Sequence, residues 1–170
     1  YHDIEVEDDV TAYVEYENGA TGLFVTSTGQ APGTNRLEVS ADMGKVVIED
    51  GRLTFWRNRV SERTFNREYT GGFGQPECWK CEIPIAGEET KHIGIMTNWI
   101  DAIHTGCELI APGVEGIHGL TLSNAMYLSA WTDDWVQLPL DEDLFLQKLQ
   151  EKIQNSTFQK QTPDRMLDVR

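Results

Sequence analysis

Cys78 and Cys81 form a C-x-x-C in "CWKC", and "HTGC", His104 to Cys107, adds an imidazole and a third thiol downstream. Four such ligands could hold a structural zinc ion in a closed tetrahedral site if they converged. The spacing tells against convergence. In "ECWKCEIPI" the alternation of Trp79, Cys81, Ile83 and Ile85 predicts a strand, and residues three apart in a regular strand face opposite ways unless a bulge intervenes. His104 falls near the end of a predicted helix, and Cys107 lies just past Gly106, a helix-ending residue. Free thiols, buried or half-buried, are therefore the expected state, and no metal site is assigned. A thioredoxin-type pair would need its C-x-x-C at a helix N-terminus after a strand, a context this stretch lacks.

Two glycine-bearing stretches invite a phosphate reading, "STGQAPGTNR" (Ser27 to Arg36) and "TGGFGQ" (Thr70 to Gln75). A phosphate cradle needs a strand, a glycine turn and a helix whose N-terminal N–H groups and dipole meet the anion. The first stretch feeds another strand, "RLEVS", and the second lacks both flanking elements, so no nucleotide site is assigned. The adjacent carboxylates Asp8-Asp9 and Asp133-Asp134 read as solvated turns, because neighbouring residues rarely converge on one ligand. His2, His92, His104 and His118 are scattered, with no serine, cysteine or carboxylate at a spacing that implies a triad. His118 falls in a helix expected to be buried and reads as a hydrogen-bonded core residue. "FWRNRVSERTFNR" reads as a solvated sheet edge or a subunit contact. No catalytic residue is assigned.

The 170 residues are enough for one domain with a real core, and 39% hydrophobic content suits a globular protein. A net charge of −14 and a pI near 4.5 argue against nucleic acid and anionic lipid as partners, since both are negative and repel such a field. No apolar run reaches the length of a membrane span, and "YHDIEVEDDV" has neither the basic nor the apolar part of a signal peptide. Three cysteines fit a reducing cytosol better than a disulfide scaffold, so a cytoplasmic location is expected. A chain that starts at Tyr1 without methionine reads as a piece of a longer protein.

The elements that must carry these residues fall into a strand-rich front and a helical back. "DVTAYVEY" alternates, Asn18-Gly19 signals a hairpin through its tolerance of positive φ, and "ATGLFVTST" runs back. "RLEVSA", "KVVIE" and "RLTFWR" follow, joined by turns at Asp42-Met43-Gly44 and Asp50-Gly51. A further polar strand is expected over roughly Arg59 to Arg67, then a loop "TGGFGQPE" and a strand around Trp79 to Ile85. Three helices are expected behind this antiparallel meander. One covers "HIGIMTNWIDAIHTG". A second covers "PGVEGIHGLTLSNAMYLSAWTD", with Gly116, Gly119, Ser123 and Ala130 as a small-residue stripe and little of its surface facing water. The third covers "DEDLFLQKLQEKIQN", with three carboxylates at its positive end. The expected domain is a single α+β unit over residues 1–154, with a tail over 155–170.

"VEDDVTAYVEYENGATG", "APGTNRLEVSADMGKVVIEDGRLTFWRN" and "GLTLSNAMYLSAWTDDWVQLPLDEDLFLQKLQ", in that order, resemble the C-terminal domain of the Gfo/Idh/MocA oxidoreductases. The resemblance implies an open, mainly antiparallel sheet with helices packed on one face. It also implies an N-terminal Rossmann domain upstream of Tyr1, binding NAD or NADP and carrying the catalytic lysine, aspartate and histidine. The parent would transfer hydride between a sugar, sugar phosphate or cyclitol and nicotinamide. This chain would then supply a substrate-pocket wall and a homo-oligomer contact through its sheet, be inactive alone and hold no cofactor. The resemblance makes Thr28, Gln30, Asn35 and Arg36 candidate substrate-facing groups, although Ala31-Pro32-Gly33 stands where several relatives place a tyrosine. A non-catalytic dimerisation module and a carbohydrate-binding module are the alternatives.

Overall fold

The computed structural model describes residues 4–85 and 90–158; His2 and the tail from 159 onward lie outside them. The chain folds as α+β, with two antiparallel sheets and four helices among the described residues. It divides into two compact units, one made of Tyr1–Gln30 with His92–Arg170, the other of Ala31–Lys91 alone. The strands that the sequence presents as one meander thus form two separate ladders.

In the first unit, β1 (Asp9–Glu15) and β2 (Thr21–Ser27) pair antiparallel from Asp9↔Ser27 to Glu15↔Thr21. Their loop works through Gly19, at φ 82°, while Asn18 keeps an ordinary φ and accepts the Ala20 N–H on its side-chain oxygen at 2.9 Å. One left-handed glycine is enough for a short hairpin loop. Helix α2 (Lys91–Thr105) stops at Gly106, whose φ of 73° turns the chain out of the helix. Helix α3 (Gly116–Thr132) is entered through a 3-10 turn at Gly113–Glu115, and α4 (Glu142–Asn155) is capped by Asp141, whose carboxylate accepts the Leu144 N–H at 2.9 Å.

The packed centre of this unit lies between the C-terminal part of α3 and α4. Leu128 is 1% exposed, and the Trp131 ring lies between Tyr127 and Phe145, with centroids 5.5 and 5.6 Å away. Lys152 lies 5.9 Å from the Trp131 centroid. The N-terminal part of α3 is different. Leu120 is 55% exposed, and Ile117 and His118 also face solvent, so the expectation of a helix buried all round and of a core histidine is corrected. Phe145 of α4 meets α3 in its last turns, through Trp131. At the chain's beginning, Glu5 takes hydrogen bonds from the Ser156 hydroxyl and from the Thr157 N–H (2.9 Å) and hydroxyl (3.1 Å). Those donors hold its carboxyl below the usual range, the Ser156 hydroxyl first.

The second unit is a four-stranded meander, β3 (Arg36–Ala41), β4 (Gly44–Glu49), β5 (Arg52–Asn58) and β6 (Cys78–Ile83), each paired with its neighbour in sequence. Asp50 (φ 50°) and Gly51 (φ 69°) make the tight turn that their types predict. The register puts Leu37, Ile48, Leu53 and Ile83 across one face with Val39, Val46, Phe55 and Cys81, and a charged row on the other. Between β5 and β6 the expected polar strand over Arg59 to Arg67 is instead a helix, α1 (Glu62–Glu68). The Ser61 hydroxyl accepts the Thr64 N–H at 3.1 Å, and Asp42, far back in the β3–β4 turn, accepts the Glu62 N–H on its carbonyl and the Arg63 N–H on its carboxylate, both at 2.9 Å. These bonds satisfy donors that a helix start leaves open.

Candidate functional site

Thr28 and Gln30 stand just after β2 in the first unit; Asn35 and Arg36 lead into β3 in the second. Thr28 is tied to the residue before β1, its N–H donating to the Asp8 carbonyl at 2.8 Å and its hydroxyl to the same oxygen at 3.3 Å. Gln30 and Asn35 are exposed. Arg36 is brought onto carboxylates: Nη1 donates to Glu49 across the ladder at 2.7 Å, and Nη2 pairs with Glu38.

That pairing belongs to the charged row of the sheet. Glu38 is shared between Arg36 and Lys45, the latter at 3.2 Å, and Lys45 and Lys80 stand 5.2 and 5.9 Å from the Trp56 ring centroid. The hydrogen bonds from Arg36 first, and then from Lys45, keep the Glu38 carboxyl below its usual range, and Glu38 in turn raises Arg36. A carboxyl depressed in the folded state contributes stability that is complete above its ordinary pKa of about 4.3 and is lost as pH falls through the depressed value. Glu38→Gln is expected to lower the melting temperature slightly at neutral pH, a small effect because solvent screens so exposed a pair, and to lose that difference as pH falls below about 4.3, which flattens the acid limb by the same small amount. An unchanged acid limb would show that the row is not maintained in solution.

The thiols are arranged as the strand spacing requires. Cys78 pairs with Asn58 and Cys81 with Phe55 in an unbroken register, which puts them on opposite faces of β6. Cys78 is exposed and Cys81 half-buried. Among the described residues no three His, Cys, Asp or Glu side chains gather as metal ligands. Cys107 lies in a segment held by Asn98, which donates to the Glu108 carbonyl at 3.0 Å and accepts the Ile110 N–H at 2.8 Å.

A feature that motif reasoning passed over lies where α1 returns to β6. Tyr69 stacks on Phe65 with ring centroids 4.8 Å apart and donates its hydroxyl to the Phe73 carbonyl at 3.2 Å. The loop "TGGFGQ" wraps this ring so closely that a Cβ at Gly71 or Gly74 would lie 2.4 or 2.5 Å from a Tyr69 side-chain atom. Its glycines thus serve a close approach of backbone to an aromatic ring rather than a phosphate. Phe73 at the tip is 104% exposed. Beyond it the chain forms one wall of a cleft of about 500 Å³ lined by Arg59, Gln75, Pro76, Glu77, Cys78 and Trp79. The Arg59 N–H donates to the Glu77 carbonyl at 2.8 Å, extending the β5–β6 ladder, and Arg59 Nη1 meets Glu77 Oε2 at 2.8 Å. The signal for this cleft was a glycine loop running straight into a tryptophan-bearing strand.

Among the described residues no helix is long and apolar enough to cross a membrane. A protein-family model described as the C-terminal alpha/beta domain of an oxidoreductase family matches residues 1–138. The match takes in every strand and α1 to α3, and ends before α4. No curated protein matches the chain.

Proposed function

The chain belongs to the Gfo/Idh/MocA oxidoreductase family, as its C-terminal α/β domain, and on that premise we propose that it is the substrate-side and assembly domain of an NAD(P)-dependent dehydrogenase. The parent enzyme acts on a CH–OH group of a sugar, sugar phosphate or cyclitol. A bound NAD(P) would supply the hydride acceptor, and acid–base residues upstream of this chain would handle the hydroxyl proton. The dinucleotide would be held by a Rossmann domain upstream of β1 in the parent, and this chain alone would be inactive. The observation that carries the reading is the family match over residues 1–138, which spans the whole sheet-forming part of the chain.

On this reading Thr28 and Gln30, at the end of β2, are candidates for a hydroxylated substrate, and Asn35, ahead of β3 in the other unit, is a separate candidate. Arg36 is less free to act as one, because Glu38 and Glu49 occupy its guanidinium. What supports assembly is the apolar side of β3–β6, where Leu37, Val39 and Ile83 are exposed, an arrangement suited to a second copy of the same face. Light scattering on the chain is expected to give a dimer or larger, and a monomer at high concentration would count against sheet-mediated assembly.

Titration of NADH or NADPH into the 170-residue chain is expected to give no binding, whereas the parent protein binds one of them and reduces NAD⁺ or NADP⁺ with a polyol. Micromolar binding to the chain alone would overturn the assignment of the cofactor site to another domain. The dehydrogenase reading also fails if the upstream reading frame lacks a strand, a G-x-G-x-x-G turn and a helix in succession.

A further inference from the structure

We propose that copies of this chain associate head to tail: helix α1 and the loop that follows it on one copy dock on the outer face of the β1–β2 hairpin of another. The receiving face is apolar within an acidic rim. Exposure alternates along β1 so that Asp9, Thr11, Tyr13 and Glu15 lie on its outer side. Tyr13 pairs across the hairpin with Leu23, which is 70% exposed, and its ring meets Trp135 edge-on at 6.0 Å. Trp135 is itself 65% exposed and follows directly on Asp133 and Asp134. Residues 1–30 carry seven carboxylates and no lysine or arginine, and among the described residues neither Asp9 nor Glu15 is in an ion pair.

The opposite chemistry stands on α1. From Arg52 to Arg67 there are five arginines and one glutamate, in a chain that is otherwise strongly acidic. Arg63 and Arg67, four residues apart, share the exposed side of the helix, while Thr64 and Phe65 are half-buried. Arg67 reaches only its neighbour Glu68, at 3.7 Å, and among the described residues Arg63 is in no ion pair. Beyond the helix, the loop clamped on Tyr69 holds Phe73 wholly in solvent. Both parts are ordered in advance, the loop by Tyr69 and the helix start by Asp42, so little further freedom is lost on docking.

Charge complementarity decides the occupant and the symmetry. Two hairpin faces brought together would set carboxylate against carboxylate, and two α1 faces would set arginine against arginine. Each patch finds its complement only on the other, so the contact is heterologous and uses one patch from each copy. It is distinct from the apolar side of β3–β6 and does not depend on the dehydrogenase reading.

The test mixes two variants of the 170-residue chain and follows energy transfer between N-terminal dyes over a concentration series. Arg63→Glu with Phe73→Ser spoils the docking element, and Glu15→Lys with Leu23→Ser spoils the receiving face; all four side chains are exposed, and circular dichroism checks that each variant is folded. Each variant mixed with itself is expected to associate about tenfold or more weakly than the original chain. The two variants mixed together are expected to recover the association, because each keeps the patch that the other lacks. Raising the salt from about 0.05 M to about 0.5 M is expected to weaken the recovered contact, as screening of opposite charges requires. The proposal is overturned if the mixture associates no better than either variant with itself, or if either variant with itself associates as tightly as the original chain. Should a double variant fail to fold, Arg63→Glu and Glu15→Lys alone are mixed and judged by the same criterion. Because Leu37, Val39 and Ile83 stay unchanged throughout, failure of this contact leaves both sheet-mediated assembly and the dehydrogenase reading standing.

Discussion

Leu128→Ala is expected to destabilise the chain by about 3 to 5 kcal/mol, the upper part of the range for large-to-small changes at sealed positions. Leu128 is 1% exposed and sits on the turn of α3 where Tyr127 and Trp131 form the stack that meets α4. The cost has two parts, the lost transfer of the removed methyl groups from water and the cavity left behind. Collapse around that cavity is limited here, because the neighbouring rings are fixed by their stacking. In a domain whose total stability is about 5 to 15 kcal/mol, a loss of this size moves the unfolding midpoint far to lower denaturant. Urea unfolding followed by tryptophan fluorescence reads it directly. Leu128→Met, which keeps the volume, is expected to cost less than about 1.5 kcal/mol. Equal, small effects from both variants would mean that this part of α3 is loosely packed.

Gly44→Ala is the second large effect, and it arises from backbone rather than burial. Gly44 sits at φ 131°, and a Cβ there would lie 1.9 Å from the Trp56 carbonyl oxygen, deep inside contact distance. The obstacle is main chain of the paired strand, so no side-chain rotation relieves it; the β4–β5 ladder must open at Gly44↔Arg57. Strain of this kind, together with loss of the pairing around it, is expected to cost about 3 kcal/mol or more. Gly51 provides the control. Its φ is also positive, at 69°, yet a methyl group added there would meet nothing within 4 Å, so Gly51→Ala is expected to cost only about 1 kcal/mol. Urea midpoints of the two variants give the comparison, and a ratio near one between their costs would show that the close approach at Gly44 is absent in solution.

Local chemistry made much of this fold legible. Asp50-Gly51 announced its turn, Asp141 its helix, and the alternation in "CWKC" the divergence of two thiols, because in each case the determining partners lie within a few residues. Helix α1 was not legible for the opposite reason. Seven residues make a marginal helix, and half of its start is satisfied by Asp42, which no window around Ser61 contains. The N-terminal part of α3 was misread because apolar residues all round a helix indicate that something covers it, without saying that the cover lies in the same unit. The cleft at Trp79 escaped notice because "TGGFGQ" was weighed only against phosphate motifs, whereas its glycines answer to the Tyr69 ring. Arg36 could be picked out as polar and well placed, but its engagement by Glu49 depends on strand register, which single residues do not display.

The division of the chain into an uninterrupted unit and a divided one sets an order of events during folding. Ala31–Lys91 is contiguous, and its strands pair only with their sequence neighbours, so each contact closes a short loop. The other unit must bring Glu5 to Ser156 and Thr157 across nearly the whole chain. On a ribosome the β3–β6 meander can therefore form as soon as Lys91 has emerged, while Glu5 finds its donors only after α4 has been synthesised. During that interval the β1–β2 hairpin is an isolated pair of short strands, an arrangement of marginal stability in water.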